Sequence, residues 1–298
     1  MKIGITGASG LIGSALAPSL HADGHEVVRF LRAPASAIDE RRWDGQSLAP
    51  EAVADLDAVV HLAGAGVGDK RWTSSYKQQI LDSRMKGTAA VANAVAQAGT
   101  PLLLSASASG WYGDTGDTPT DESGPRGRGF LSDVCQAWEA AALPAQKSAR
   151  VVHLRTGIVL ARQGGALKKQ LPIFKAGLGA RLGNGRQWLS WISLDDEVSA
   201  IRHLLTSAVH GPVNLVSPTS VTNREFTKVL GGVLHRPTAP VGVPGFALHA
   251  ALGEFAEEGV LISQRLVPAA LVASGFTFLH PDLRSALESA LTVAPQPA

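Results

Sequence analysis

The chain has 298 residues, 45% of them hydrophobic and 17% charged, with a formal net charge of +2. That length can hold one large domain or two unequal ones with ample core. The charge is small and basic residues form no run longer than pairs such as Arg41-Arg42 and Lys168-Lys169, which argues against nucleic acid or a membrane surface as partner. One cysteine, Cys135, excludes an internal disulfide framework and fits a reducing compartment.

A first strand starts at Lys2, so no cleavable signal peptide is expected before the fold. No apolar stretch approaches the roughly 20 residues that span a bilayer, and a cytoplasmic location is expected. The run Ile3, Ile5 breaks into glycines at 7, 10 and 13, and helical spacing follows at Leu11, Ile12, Ala15, Leu16 and Leu20. Strand, tight turn and helix in that order suit a diphosphate. Glycine lets the backbone take positive φ and approach closely, and the helix start offers free N–H groups and a positive dipole end.

Gly24 stops the helix, and residues 25–31 read as a second strand ending at Arg32. An acid at this position holds adenosine ribose hydroxyls, whereas an arginine accommodates a 2′-phosphate. Arg32 therefore indicates NADP(H), against the plainer reading of an exposed loop arginine. Residues 42–44 suggest an edge strand whose Asp44 could meet an adenine amino group.

Residues 56–66 form a buried strand that ends in small residues, which admit a cofactor close to the backbone. A helix over about 74–97 carries Arg84 and Lys86. A strand over 101–107 leads into Ala108-Ser109-Gly110-Trp111-Tyr112-Gly113, and residues 114–129 read as a surface loop. Helical spacing covers 130–142, and residues 150–160 read as a central strand with a glycine turn. Strands alternating with helices predict an α/β fold with a doubly wound, Rossmann-like parallel sheet.

After Gly164 a helix (Leu167, Leu171, Phe174) runs into a glycine-rich stretch over 177–191. Asp195 and Asp196 read as the cap of a helix to about Thr206, and residues 212–216 as a strand returning to the sheet. Residues 218–298 are mainly helical, with prolines at 237, 240, 244, 268 and 281. The expected division is a dinucleotide-binding domain of residues 1–164 plus about 195–217. A smaller substrate or lid domain takes residues 165–194 plus 218–298.

These pieces resemble the extended short-chain dehydrogenase/reductase family, which contains the nucleotide-sugar epimerases. The shared features are Thr6-Gly7-x-x-Gly10-x-x-Gly13, His61-Leu62-Ala63-Gly64, the serine-rich strand before Tyr112-Gly113, Arg155-Thr156-Gly157 and residues 191–196. The narrower resemblance is to its atypical "epimerase family protein" subgroup. Its marks are Lys70-Arg71-Trp72, Asp82-Ser83-Arg84, Phe130-Leu131, Trp138-Glu139, Gly183-x-Gly185-x-Gln187-Trp188-x-Ser190-Trp191 and Gly275-Phe276-x-Phe278 with Pro281. The resemblance spans nearly the whole chain. It implies that Gly7, Gly10 and Gly13 hold the pyrophosphate, with Ser9, Leu11 and Ile12 also at the cofactor, and Arg32 the 2′-phosphate. Leu62, Ala63 and Gly64 would lie along the cofactor, with Arg84, Ser105 and Arg155 also reaching it.

The chain departs from that family at its catalytic pair. The wider family uses Tyr-x-x-x-Lys with an upstream serine, the lysine tuning the phenol for proton exchange. Here Ile80 follows Tyr76 by four residues and Gly116 follows Tyr112, so no such pair exists. Aligning Trp138-Glu139 with the helix that carries the pair puts Leu131 at the tyrosine position and Cys135 at the lysine. Ser193 stands where related chains often have a histidine.

Ser107 best matches the upstream serine, with Ser105 and Ser109 as register alternatives. It could bond a substrate oxygen or merely the backbone. Tyr112 is the one phenol near the crevice and could donate a proton, or pack, or hold cofactor. Cys135 reads as a buried packing residue, and His61 as packing beside the cofactor. His21 and His25 lack a zinc-protease arrangement, no metal site is expected, and no G-x-S-x-G elbow is present.

Residues 177–191 offer Arg181, Arg186 and Gln187 for anionic or carbonyl groups and Trp188 and Trp191 for stacking. The alternative is a connector whose tryptophans join the core. The expected function is an NADP(H)-binding oxidoreductase or epimerase-like enzyme acting on a small carbonyl or hydroxyl compound. A catalytically silent NADP(H)-binding protein that regulates or docks a partner is the competing expectation. A homodimer is compatible with either.

Overall fold

A computed structural model describes residues 1–292. Strand β1 (Lys2–Thr6) leads through the glycine turn into α1 (Leu11–Ala22), then β2 (Glu26–Leu31) and a short edge strand β3 (Glu40–Arg42). The chain then crosses to the other side of β1. There β4 (Ala58–His61), α2 (Ser74–Ala98), β5 (Leu102–Ala108), α3 (Phe130–Ala141) and β6 (Arg150–Thr156) follow. After β7 (Ile158–Leu160), α4 (Gly165–Lys175), β8 (Trp188–Leu189), β9 (Trp191–Ser193) and α5 (Leu194–Thr206), strand β10 (Gly211–Leu215) completes the sheet. Its order is β10-β6-β5-β4-β1-β2-β3, with every described pairing parallel. The order reverses between β1 and β4, and the carboxyl ends of those strands frame a crevice, the usual ligand position in such a sheet.

Alternate side chains of each strand enter opposite layers. Ile3, Ile5, Val60, Leu104 and Leu154 pack against Leu16 and Leu20 of α1 and Ile201 and Leu204 of α5. Val28, Val59, Leu103 and Val151 pack against Val91 and Val95 of α2.

The expected single strand over 150–160 is two strands. β6 stays in the main sheet while β7 pairs with β9 in a separate parallel ladder. Strand β11 (Val221–Thr222) pairs with β8 and precedes α6 (Asn223–Val233), which opens with a capping box between Thr222 and Glu225. Helices α7 (Gly245–Leu252), α8 (Ala269–Ala273) and α9 (Leu283–Leu291) complete the described chain. A further core joins Leu167 and Phe174 of α4, Trp191 of β9, Phe226 and Leu230 of α6, and Leu283 and Leu287 of α9. Leu271 of α8 instead packs into the layer of α1 and α5.

The cap of α5 differs from expectation. Ser193, not an aspartate, accepts the N–H of Asp196 at 2.9 Å. The Asp196 carboxylate receives the N–H groups of Leu279 (2.6 Å) and His280 (3.1 Å), tying the C-terminal segment to the sheet. The next residue, Glu197, is fully buried. Its Oε1 accepts a hydrogen bond from Thr156 Oγ1 at 2.9 Å and its Oε2 has no partner. Burial pushes this carboxyl up to about 8.

A carboxyl whose folded value lies above its unfolded one binds protons more tightly in the fold, so stability falls as pH rises from about 4.5 toward 8. Glu197→Gln, uncharged and still able to accept from Thr156, should unfold in parallel with wild type near pH 5. It should be more stable by a few kcal/mol, on the order of magnitude, near pH 8.5. Urea unfolding across that range tests this, and equal pH dependences would refute the buried-carboxylate penalty.

Candidate functional site

The crevice begins where β1 and β4 end. Gly7 has φ +72°, and a Cβ there would lie 2.8 Å from the Leu62 carbonyl carbon, so only glycine permits this approach. A Cβ on Gly13 would stand 2.3 Å from the Gly7 oxygen, which lets α1 start directly over the turn. Gly10 caps α1 without any side-chain bond, leaving the first-turn N–H groups open toward the crevice. Ser9 and Gly10 are exposed and Leu11 and Ile12 half-buried around that opening. The cradle fits a diphosphate.

Below it, Thr6 Oγ1 bonds His61 Nδ1 at 2.7 Å, and His61 Nε2 bonds Thr88 Oγ1 at 3.0 Å. Burial pushes the imidazole down to about 4, so His61 is a neutral splint between β1, β4 and α2. Leu62 and Ala63 are half-buried and Gly64 is exposed along the crevice floor.

Arg32 emerges exposed from the end of β2 with no ion pair among the described residues. The parallel register sets Leu31 beside Arg42, so Arg42, also exposed, stands at the end of the adjacent strand. Sequence reading missed Arg42 as a site residue, because its nearness to Arg32 exists only in the β2–β3 register. Asp44 accepts from Gln46 N, Ser47 N and Ser47 Oγ at 2.7–2.8 Å. Its carboxylate holds its own turn and leaves little for an adenine.

The expected catalytic residues lie in a buried hydrogen-bond network. Ser107 is 4% exposed and donates to Glu139 Oε1 at 2.7 Å. Arg155, expected at the cofactor, is 3% exposed and grips Glu139 with two bonds, Nε to Oε1 (2.8 Å) and Nη2 to Oε2 (2.9 Å). Tyr112 is 2% exposed, donates to Asn214 Oδ1 at 2.7 Å and accepts from Arg155 Nη1 at 2.9 Å. Burial raises its pKa. These groups complete a buried network in which both hydroxyl protons are committed to other side chains. Ser105 is fully buried, its Oγ unpartnered, in register with His61 on one side and His153 on the other. Ser109 alone of the three serines is half-exposed and makes no side-chain bond.

Glu139 is the key partner that sequence reading did not assign a role. Its signal was a carboxylate on the apolar face of α3 beside Val134, Cys135 and Trp138, a placement that demands a buried cation. Around Gly110, a Cβ would meet Leu131 Cβ at 3.3 Å and Cys135 Sγ at 3.5 Å. Leu131 and Cys135 therefore pack against the turn that follows β5. Burial pushes the Cys135 thiol up to about 12, which excludes a thiolate.

The opposite wall comes from the C-terminal segment. Glu258 accepts the N–H groups of Phe130 (3.0 Å) and Leu131 (2.8 Å), capping α3. Gln264 Nε2 donates to the carbonyls of Ser109 (2.9 Å) and Gly113 (3.1 Å). Neither residue carried a sequence signal.

The expected substrate residues mostly serve this framework. Trp191 is 0% exposed in the core, so it cannot stack on a ligand. Gln187 is buried and bonds the carbonyls of Leu182 and Val260. Arg181 bonds the Pro240 carbonyl at 2.7 Å. Trp188 donates to Asp117 and lies 4.3 Å from the Arg265 guanidinium. Arg186 remains exposed. Among the described residues no group of His, Cys, Asp or Glu is arranged to hold a metal, and no helix is long and apolar enough to cross a membrane.

Arg155→Met leaves the Glu139 carboxylate buried without its cation and should cost about 3–5 kcal/mol of stability. Arg155→Met with Glu139→Leu should recover most of that loss. Chemical denaturation of the three proteins decides it; a double variant as unstable as the single would sink the account.

The model of the NAD dependent epimerase/dehydratase family matches residues 3–216, and a domain of unknown function, DUF1731, matches 243–290. An epimerase family protein of Mycobacterium leprae is 47% identical over 294 residues, covering 97% of this chain and 95% of its own length. The crystal structure of human epimerase family protein SDR39U1 (isoform 2) with NADPH superposes with a TM-score of 0.89 at 31% identity, covering 98% of this chain and all of that one. A nucleoside-diphosphate sugar epimerase from Corynebacterium glutamicum gives 0.80 at 32% identity, over 97% of this chain and 58% of that one. The glycine cradle, the switch-point crevice and these matches together make the chain a member of the NAD dependent epimerase/dehydratase family.

Proposed function

We propose that the protein binds NADP(H) and uses it in oxidoreductase or epimerase-like chemistry on a small carbonyl or hydroxyl compound. The observation that carries this reading is the uncapped start of α1 over the Gly7–Leu62 approach, with Arg32 and Arg42 exposed and unpaired on adjacent strand ends. A diphosphate takes the helix N-terminus and a 2′-phosphate meets Arg32, with Arg42 adding positive charge on the neighbouring strand. The NADPH in the human relative's structure supports the same choice.

When bound, the dinucleotide supplies hydride transfer. This chain's part is to orient it along Leu62–Gly64 and to hold the substrate between the end of β5 and residues 258–264. Ser109 is the free hydroxyl on that wall and can donate to a substrate oxygen. The burial of Ser107 and Tyr112, with Leu131 and Cys135 at the pair's position, favours a second reading: a silent NADP(H)-binding protein that regulates or docks a partner.

Fluorescence titration should give NADPH at least about tenfold tighter than NADH. Arg32→Ala should abolish that preference and Arg42→Ala weaken it; equal affinities in wild type would remove the 2′-phosphate assignment. NADPH oxidation over a broad carbonyl panel, lowered by Ser109→Ala, would establish the enzyme. Tight binding with no turnover on any compound would establish the silent reading.

A further inference from the structure

Arg84 is a guanidinium packed into the crevice wall with no counter-charge among the described residues. It projects from α2 over Gly64, where an added Cβ would lie 3.4 Å from its Cζ, and its plane stands 4.7 Å from the Trp138 ring centre. No carboxylate lies within ion-pairing distance among the described residues. The titratable groups that face it are Cys135 and Tyr76, both neutral at pH 7, and burial lowers the Arg84 pKa. Arg155, by contrast, has Glu139. A guanidinium partly withdrawn from water without a counter-charge costs free energy that a bound anion would offset.

Its hydrogen bonds show which anion. Nη1 is occupied, donating to the Ala65 carbonyl at 2.8 Å and the Ile80 carbonyl at 3.2 Å. Nε and Nη2 make no bond among the described residues. They form one edge of the guanidinium, with two parallel donors matching the two oxygens of a carboxylate. Trp138 and the Nη1 bonds fix the plane, so that edge is preorganised. Cys135, the helix position where the resemblance expects a lysine, faces the same guanidinium.

We propose that Arg84 is a substrate-binding residue whose free Nε/Nη2 edge holds the carboxylate of the small compound that reacts beside the cofactor. The proposal rests on the NADP(H) reading and narrows its substrate to carboxylic acids. A guanidinium keeps its proton throughout, so Arg84 neutralises and orients the anion while a proton must come from elsewhere.

Oxalate, a small planar dicarboxylate, serves as the probe. It is titrated by calorimetry into wild type, Arg84→Met and Arg84→Lys, each with and without saturating NADPH, alongside NADPH affinity and Tm. Wild type should bind oxalate, Arg84→Met should bind it at least about tenfold more weakly with NADPH affinity held within about twofold, and Arg84→Lys should recover only part of the loss. Oxalate binding that is absent in wild type, or equal in wild type and Arg84→Met, overturns the proposal. A loss of NADPH affinity in Arg84→Met with oxalate binding unchanged also overturns it and makes Arg84 a cofactor contact. Full recovery by Arg84→Lys overturns the two-donor geometry. Wild type that binds oxalate but not NADPH would leave Arg84 as a carboxylate site and refute the cofactor reading instead.

Discussion

Arg155 and Glu139 meet where water does not reach, and the crevice floor takes its shape around them. Two charge-assisted bonds join β6 to α3. Through Ser107 the same carboxylate holds the end of β5, and through Tyr112 the same guanidinium reaches Asn214 on β10. Glu122 of the long surface loop extends the array, accepting the Asn214 N–H at 2.9 Å and the Ala270 N–H at 3.2 Å. Three strands, a helix, a loop and the C-terminal segment are thus keyed to one ion pair. A buried pair of this kind adds little net stability over a well-packed apolar core, but neither member can be lost alone. In this chain it positions the end of β5 and α3, the surfaces that a ligand beside the cofactor would meet.

The network also changes what the serine and tyrosine mean. In isolation Ser107-x-x-x-x-Tyr112 looks like the remains of a catalytic set. In place, both hydroxyls satisfy buried partners, which a burial this complete requires. Ser109 and Arg84 are two crevice groups outside the usual positions with donors still free among the described residues.

Much of the fold could be read from the sequence because its signals are local. Gly7, Gly10 and Gly13 lie within one turn, and the alternation of strands and helices needs only the periodicity of neighbouring residues. The site was less legible because its residues are joined by register and by long-range return of the chain. Arg42 becomes a neighbour of Arg32 only once β3 pairs with β2. Trp191 reads equally as stacking surface or core until α4, α6 and α9 close over it. Asp196 looks like a helix cap, yet its acceptors face backbone 83 and 84 residues further on, and Ser193 caps instead. Trp191 was offered to a ligand and Asp196 to a helix cap, when distant parts of the same chain are their partners.

The two halves of the crevice are assembled over very different lengths of chain. The nucleotide half is complete once β4 lies beside β1, a contact between residues about 56 apart. The other wall waits for Glu258 to reach Leu131 and Gln264 to reach Ser109, across 127 and 155 residues. Contacts so far apart in sequence form late, since loop closure must precede their reward. A chain emerging from the ribosome can therefore assemble its dinucleotide cradle while the wall that would face a substrate is still being made.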